Sequence, residues 1–448
     1  VPVSIPPNAG KVLILGSNGF LGRYLTQRLN ADGYDTIGVI GRAHVDLRDP
    51  AALPAFLERT PDAWALPSPI LPEAGTNPRL NISFCFFLAC EVGGSKFIDS
   101  AAASTQLAIL RHNVQIYESV FPWLERTRTP FIFISSVLQF EPSPYGSIKR
   151  LGETWVRNMP PAGPAAAAAA QASSAAAAAT PAEKPSPLGK SVRLWNIYGR
   201  ERVSAKSHVL VDWAYQCIGG RAVAQSAAPP ATGAAADAPS PAAAAQARVV
   251  RALTDGAEQR QFLHAQDAAA ALVLLMRHWE AADEVTDITS GVTVTVGSTA
   301  PDVARAVAAT APAVASTAAS DACSFVFSHR PAVARVSPPP TTGGSALVAR
   351  LGWRPKVDFV DGLTDLVAAL RAAVARARPL APAAGVGRGG DGEDDGGIDL
   401  PLDAGDWVPA RLPAAQALAA LGAAEAGVVD SAAARPSAAD TAAVKEEL

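Results

Sequence analysis

KVLILGSNGFLGRYLTQRLNADG, residues 11–33, passes from an unbroken apolar run into glycines, then into a segment with Leu21, Leu25 and Leu29 at helical spacing, closed by Gly33. A short apolar run ending in a turn fits a strand buried on both faces, and the spacing that follows it fits a helix. Between the two, GSNGFLG sets Gly16, Gly19 and Gly22 in the pattern G-x-x-G-x-x-G. The first glycine permits a tight turn, the second lets backbone approach a pyrophosphate, and the third lets helix and strand pack closely, with the helix N-terminus facing the anion. Glycine triplets alone say little. A strand before and a helix after are the context that makes this one a dinucleotide-site expectation, with Asn18, Phe20 and Leu21 as further contacts in the turn.

The same alternation continues down the chain. DTIGVIG (35–41), ISFCFFLA (82–89), PFIFISS (130–136) and KSVRLWN (190–196) read as strands, separated by segments able to form helices. Strand and helix in repetition predict an α/β fold, a Rossmann-type doubly wound parallel sheet, here with a smaller C-terminal α/β substrate lobe. The expected boundaries are 11–190 for the dinucleotide-binding domain and 191–378 for the remaining strands and the substrate lobe. Residues 160–187 and 224–247 are Ala/Pro/Ser tracts with few large apolar groups to offset the entropy of ordering, and read as surface insertions. From 379 to 448 the chain is Ala/Gly-rich, carries the acidic patch GGDGEDDGG (389–397), and reads as a disordered tail with some helical character at 414–424.

Composition removes several classes of function. Across 448 residues, Lys+Arg 38 against Asp+Glu 41 leaves a formal net charge of -3, which argues against a protein built to coat nucleic acid or an anionic membrane. Hydrophobic residues make up 49% but aromatic residues only 6%, because much of the apolar share is alanine in runs. No run of about 18 strongly apolar residues is present to suggest a spanning helix. Cys85, Cys90, Cys217 and Cys323 form no C-x-x-C pair, a spacing that matches neither a disulfide framework nor a zinc site, so no metal and a reducing, cytoplasmic setting are expected. The chain starts at Val1 rather than Met, so a removed targeting segment and an organellar setting stay open as the alternative.

Two groups of residues carry chemistry. At the end of the second strand, where an acid would read a ribose 2'-hydroxyl, stand Val39, Ile40, Gly41 and Arg42. Arg42 suits a 2'-phosphate and favours NADP over NAD; the alternative is a surface arginine on a protein that binds NAD by other contacts. Asp46 and Leu47, in HVDLRD (44–49), fall where adenine contacts are expected, although Asp46 is equally placed to cap the next helix. PYGSIK (144–149) sets Tyr145 and Lys149 at i, i+4 on one helical face. A phenol with a pKa of about 10 is a poor base at neutral pH, but a neighbouring ammonium stabilises the phenolate. Ser136, closing the strand PFIFISS, is placed to hydrogen-bond the same substrate oxygen; an exposed Tyr–Lys pair is the plainer reading.

Taken with FLAC (87–90), HN (112–113), SSVLQF (135–140), SPYGSIKRLGE (143–153), RLWNIYG (193–199), RQFLHAQD (260–267) and LGWRPKV (351–357), the chain resembles the extended short-chain dehydrogenase/reductase family. Within it, the likeness is to the NAD-dependent epimerase/dehydratase group that includes UDP-galactose 4-epimerase, over about residues 11–375. The resemblance implies that Leu88 and Ala89 line the cofactor cleft, and that Ser136, Tyr145 and Lys149 form the catalytic set. It also places Asn113 among the cofactor-side residues, supporting the active-site helix, and Asn196 and Arg260 at a nucleotide-sugar diphosphate. Arginine suits that last role through its planar fork. Plainer alternatives are that Asn196 ends a strand, Arg260 pairs with Asp267 and Trp195 belongs to the core; His264 is expected to be structural.

Departures from similar subfamilies narrow the reaction. Similar 4,6-dehydratases carry an Asp-Glu pair after the catalytic Ser/Thr and similar decarboxylases a Glu, where this chain has Val137 and Leu138. GDP-fucose synthases resemble it in the Arg-bearing second strand but use a Cys where Leu138 stands. The expectation is therefore 4-epimerisation of a nucleotide sugar through a keto intermediate, with an NADP-linked keto-sugar reductase as the alternative and a non-catalytic scaffold or RNA-associated relative as a third reading. NAD suits the first and Arg42 the second. A homodimer through 102–126 and the helix starting near Tyr145 is implied by resemblance, with no membrane or nucleic-acid partner. The terminal KEEL (445–448) is a loose relative of a secretory retrieval signal.

Overall fold

The computed structural model describes residues 5–7, 9–42, 44–59, 81–100, 102–161, 187–219, 248–311, 323–330, 347–377 and 398–402. The insertions expected at 160–187 and 224–247 fall, but for residues 160, 161 and 187, outside the described residues, as do 414–424 and the KEEL end.

The first half alternates as its apolar runs predict: β1 (Lys11–Leu15), α1 (Phe20–Ala31), β2 (Thr36–Val39), α2 (Ala52–Arg59), β3 (Ile82–Phe87), the single turn α3 (Ser95–Ile98), α4 (Ala103–Thr127), β4 (Phe131–Ser136), α5 (Pro144–Arg157) and β5 (Gly189–Leu194). The second half adds β6 (Asn196–Tyr198), α6 (Val209–Cys217), β7 (Arg248–Arg251), β8 (Gln259–Arg260), β9 (Phe262–His264), α7 (Ala265–Arg277), β10 (Val285–Ile288), β11 (Val294–Thr295), α8 (Ala300–Ala309), β12 (Cys323–Val326) and α9 (Phe359–Ala377). Six strands form one parallel sheet in the order β10-β5-β4-β3-β1-β2. The order reverses between β1 and β3, and in open α/β sheets ligands bind beyond the strand C-termini at that point.

Alternation along β1 explains why its sequence is apolar throughout. Val12 and Ile14 pack against Leu25 and Leu29 of α1 and Leu272 and Met276 of α7 on one face, while Leu13 and Leu15 face Tyr117 and Phe121 of α4 on the other. Helices on both faces leave no solvated side for polar residues. On the α4 face the rings of Phe87, Tyr117, Phe121 and Phe133 pack with centroids 5.2 to 5.8 Å apart, adding edge-to-face attraction to the area buried.

A third cluster forms the smaller lobe, from α6, α8, α9 and the β7–β12 pair. Two sequence expectations change here. Cys217, ending α6, and Cys323, opening β12, are joined in a disulfide with Cα atoms 5.4 Å apart. Their separation of 106 residues is the reason no local spacing reveals it. Ile398–Leu402, within the stretch expected to be a disordered tail, is instead built into the fold. Ile398 exchanges both backbone hydrogen bonds with Val203 at 2.8 and 3.0 Å, Arg23 Nη1 donates to the Leu400 carbonyl at 2.7 Å, and Leu400 is fully buried. Among the described residues no helix is long and apolar enough to cross a membrane.

Candidate active site

The glycine turn closes on itself by contact. Gly16 has φ +90°, and a Cβ there would lie 3.0 Å from the Ala89 backbone nitrogen; a Cβ on Gly22 would lie 2.1 Å from the Gly16 carbonyl oxygen. Only glycine allows the end of β3, the turn and α1 to approach this closely. No side chain caps the N-terminus of α1, so its first-turn N–H groups are left to bind an anion. Ser17 is 6% exposed; its Oγ has no hydrogen-bond partner and lies against Gly38 of β2, 2.6 Å from where a Cβ there would stand.

A cleft of about 450 Å3 opens above this turn. Its walls include Gly16, Gly19, Phe20, Leu21 and Gly22 from the turn, then Arg42, Asp46 and Leu47 after β2, and Leu88 and Ala89 after β3. Ser136, Tyr145 and Lys149 line it from β4 and α5, and Asn196 and Arg260 from the smaller lobe. Of the cofactor-side residues expected from sequence, Asn18 and Asn113 do not line it. Asn18 is exposed on the turn. Asn113 is fully buried in α4, where it accepts from the Glu91 backbone N–H at 2.8 Å and donates to the carbonyls of Glu91 and Ile109 at 3.1 and 2.8 Å. Its amide fixes the loop after β3, a role read from contacts and not from direct reach into the cleft.

Tyr145 and Lys149 are set by a capped helix start. Ser143 accepts from the Gly146 N–H at 3.0 Å and Pro144 begins α5, placing Tyr145 one residue into the helix and Lys149 a turn later. Lys149 Nζ donates to the Ile134 carbonyl at 2.8 Å and lies 5.5 Å from the Tyr145 ring centroid. Burial pushes the Tyr145 pKa up, and Lys149 and a hydrogen bond with Ser136 only partly offset it. The expected lowering by lysine therefore loses to desolvation, and the phenol rests neutral. Burial works against the Lys149 charge, but Cys90, Tyr145 and Glu153 outweigh it and the pKa is raised. Behind the pair, Arg193 donates to both oxygens of Glu153 at 2.8 and 2.6 Å, and Ser135 Oγ donates to Glu153 at 2.6 Å.

Other expected residues resolve into contacts. Asp46 accepts from Arg48 Nη2 at 2.6 Å and from the Arg48 N–H, while Asp49 accepts the Ala51 N–H ahead of α2; Asp46 is thus not the helix cap. Arg260 donates to the Gln259 carbonyl, and Asp267 accepts from the Val357 N–H at 3.0 Å. His264 receives the Gln266 N–H at the start of α7, and burial lowers its pKa to about 4. Among the lining residues that sequence did not single out as site residues are Cys90, Glu91, Trp195 and His208. Trp195 Nε1 is buried without a partner. His208 Nδ1 meets Glu201 at 2.6 Å, and although burial disfavours the imidazolium, Glu201 raises its pKa. Only a histidine followed by the start of α6 marks it in sequence. Among the described residues, no group of three or more His, Cys, Asp or Glu is placed to hold a metal ion.

The model of the NAD dependent epimerase/dehydratase family matches residues 12–65 and 96–291, more than half the chain. The chain belongs to the NAD-dependent epimerase/dehydratase family. No curated protein matches it in sequence. Solved structures share the fold at low identity. A GDP-L-fucose synthetase from Naegleria fowleri matches at 15% identity and TM-score 0.54, covering 82% of this chain and 95% of that one. The UDP-glucose 4-epimerase of Thermus thermophilus, complexed with NAD, matches at 16% and 0.50, over 81% and 99%. A GDP-6-OMe-4-keto-L-xylo-heptose reductase from C. jejuni matches at 14% and 0.52, over 81% and 97%. As an epimerase/dehydratase family enzyme, the protein has residues that fit a nicotinamide dinucleotide: a turn whose close backbone approach leaves no room for a Cβ at Gly16 or Gly22, and the uncapped N-terminus of α1 that it opens, both in the wall of the cleft.

Proposed function

We propose that this family member interconverts nucleotide sugars by oxidation and reduction at one sugar carbon, with 4-epimerisation as the net reaction. The observation that carries the reading is a single cleft shared by the glycine turn, the Ser136–Tyr145–Lys149 group and, from the facing lobe, Asn196 and Arg260. A bound nicotinamide dinucleotide, held by Gly16–Gly22, Leu88, Ala89 and Lys149, supplies hydride acceptance and return. Tyr145 moves the proton at the substrate hydroxyl oxygen, and Ser136 shares that oxygen through its own hydroxyl. Lys149, fixed by the Ile134 carbonyl, holds positive charge beside the phenol. Arg260 and Asn196 hold the diphosphate, so that the sugar is free to turn while the nucleotide stays bound.

A second reading, NADP-linked reduction of a keto sugar, is favoured by one observation: Arg42 lines the cleft after β2, where no acid stands at residues 39–42. We propose further that the protein pairs as a homodimer through α4 and α5, on which Leu107 and Leu151 are 52% and 39% exposed, and that it works in a cytoplasmic setting. The Cys217–Cys323 disulfide weighs against that setting, since cytosolic disulfides are rare, so thiol titration of denatured protein from its own cells decides it: four free thiols support the cytoplasm and two, Cys85 and Cys90, overturn it.

The deciding experiment is thermal shift with UDP-, GDP- and dTDP-sugars, each with NAD and NADP, followed by turnover of the best binder in wild type and Tyr145→Phe. Ligands that bind the native state raise its melting temperature. Tyr145→Phe is expected to bind cofactor normally and lose at least about 100-fold in turnover. Purified protein that binds neither cofactor would sink the reading.

A further inference from the structure

We infer that Glu91 sets the choice between the two nicotinamide dinucleotides: from the end of β3 it supplies the carboxylate that β2 lacks, and turns the cleft toward the cofactor without a 2'-phosphate. The inference rests on the dinucleotide site proposed above and deepens it.

In a sheet of this kind the residues after the second strand read the adenosine ribose, and an acid there accepts a hydrogen bond from the 2'-hydroxyl. After β2 this chain has Ile40, Gly41 and Arg42. By sequence Arg42 is a fork for a 2'-phosphate. In the structure that fork already has a counter-ion, because Arg42 Nη2 lies 3.5 Å from Glu91 Oε2. β2 and β3 are the two strands that flank β1, so the residues following their C-terminal ends meet beside the glycine turn. Both side chains line the cleft.

Glu91 is held more firmly than a surface acid. Its backbone N–H and carbonyl are both bonded to the buried Asn113 amide, at 2.8 and 3.1 Å. Its carboxylate accepts from Lys206 Nζ at 2.5 Å, His112 Nδ1 lies 3.7 Å away, and the side chain is 14% exposed. Burial works against its charge, but Lys206, Arg42 and His112 outweigh that and hold its pKa below the usual carboxylate range. A 2'-phosphate arriving at Arg42 would therefore have to compete with a carboxylate that already holds the guanidinium, and the two anions on one cation repel more strongly in a partly desolvated wall than in water. A ribose 2'-hydroxyl in the same place is a donor that the carboxylate accepts. Discrimination of this kind acts by repelling the wrong ligand as well as by holding the right one.

The test is the ratio of dissociation constants for NADH and NADPH, read by nicotinamide fluorescence on the full chain. Wild type is expected to bind NADH at least as tightly as NADPH. Glu91→Gln should move the ratio about tenfold toward NADPH, and Glu91→Lys should move it further in the same direction. The ratio is the readout because general damage to the cleft weakens both cofactors together. An unchanged ratio in both variants, a shift toward NADH, or a wild type that prefers NADPH tenfold or more overturns the inference while leaving the dinucleotide site standing. A wild type that binds neither cofactor overturns both.

Discussion

Glu153→Gln is expected to destabilise the protein by about 3–5 kcal/mol, the usual cost of removing one partner from a buried ion pair. Glu153 is 3% exposed and Arg193 8%. The two guanidinium contacts at 2.8 and 2.6 Å and the Ser135 hydroxyl at 2.6 Å occupy the carboxylate. Glutamine keeps the shape but turns an N–H toward the guanidinium, leaving Arg193 charged, buried and without its counter-charge. Asp287 acts on Arg193 from β10, and the Phe140 ring lies 4.9 Å from its guanidinium carbon, but neither replaces a bidentate carboxylate. At roughly 2–4 °C per kcal/mol for a chain of a few hundred residues, the melting temperature should fall by about 6–20 °C. Arg193→Met should cost a similar amount, whereas the double variant Glu153→Leu/Arg193→Met removes both charges and should recover most of the loss. Urea and thermal melts of the four proteins measure this. A Glu153→Gln cost below about 1 kcal/mol, the scale of an exposed pair, or a double variant as unstable as the two singles added together, would refute the reasoning.

Three further outcomes follow from other parts of the fold. His264 has a folded pKa of about 4 against an ordinary 6.5, so between those values the unfolded chain binds a proton that the folded chain refuses. Stability present above pH 6.5 should therefore fall as pH drops toward 4, by up to about 3 kcal/mol, and urea midpoints across that range should be flatter in His264→Gln. A chain ending at Leu402 should melt like the full chain, whereas one ending at Gly397 should lose at least about 2 kcal/mol, the worth of burying Leu400 alone; equal melting of the two would remove Ile398–Leu402 from the fold. Reducing agent should lower wild-type stability by about 2–4 kcal/mol and leave a Cys217→Ser/Cys323→Ser variant unmoved.

The central strands were legible because each is buried on both faces, so its apolar run is continuous and ends in glycine or polar residues. β10 was not singled out, since VTDI is short and its Asp287 reads as polar, yet it extends the sheet beside β5. Tyr145 and Lys149 were legible by their helical spacing, but the direction of the Tyr145 shift was not. It depends on how completely α5 and the loop after β3 exclude water, which residue types do not record. Arg42 was legible as a cation after β2; its partner Glu91 was not, because α2, β3 and residues 60–80 lie between them in sequence and the two meet only where β2 and β3 flank β1.

The sequence alone determined what is local or periodic: the sheet class, the glycine turn, the placing of Tyr145 and Lys149 on one helix, and the family. Tertiary structure alone decided what depends on approach between distant segments. It joined Cys217 to Cys323, returned Ile398–Leu402 to Val203, set Glu153 on Arg193 and placed Glu91 beside Arg42. The physical reason is that burial and charge pairing are fixed by which surfaces exclude water together, and that is a property of the packed chain.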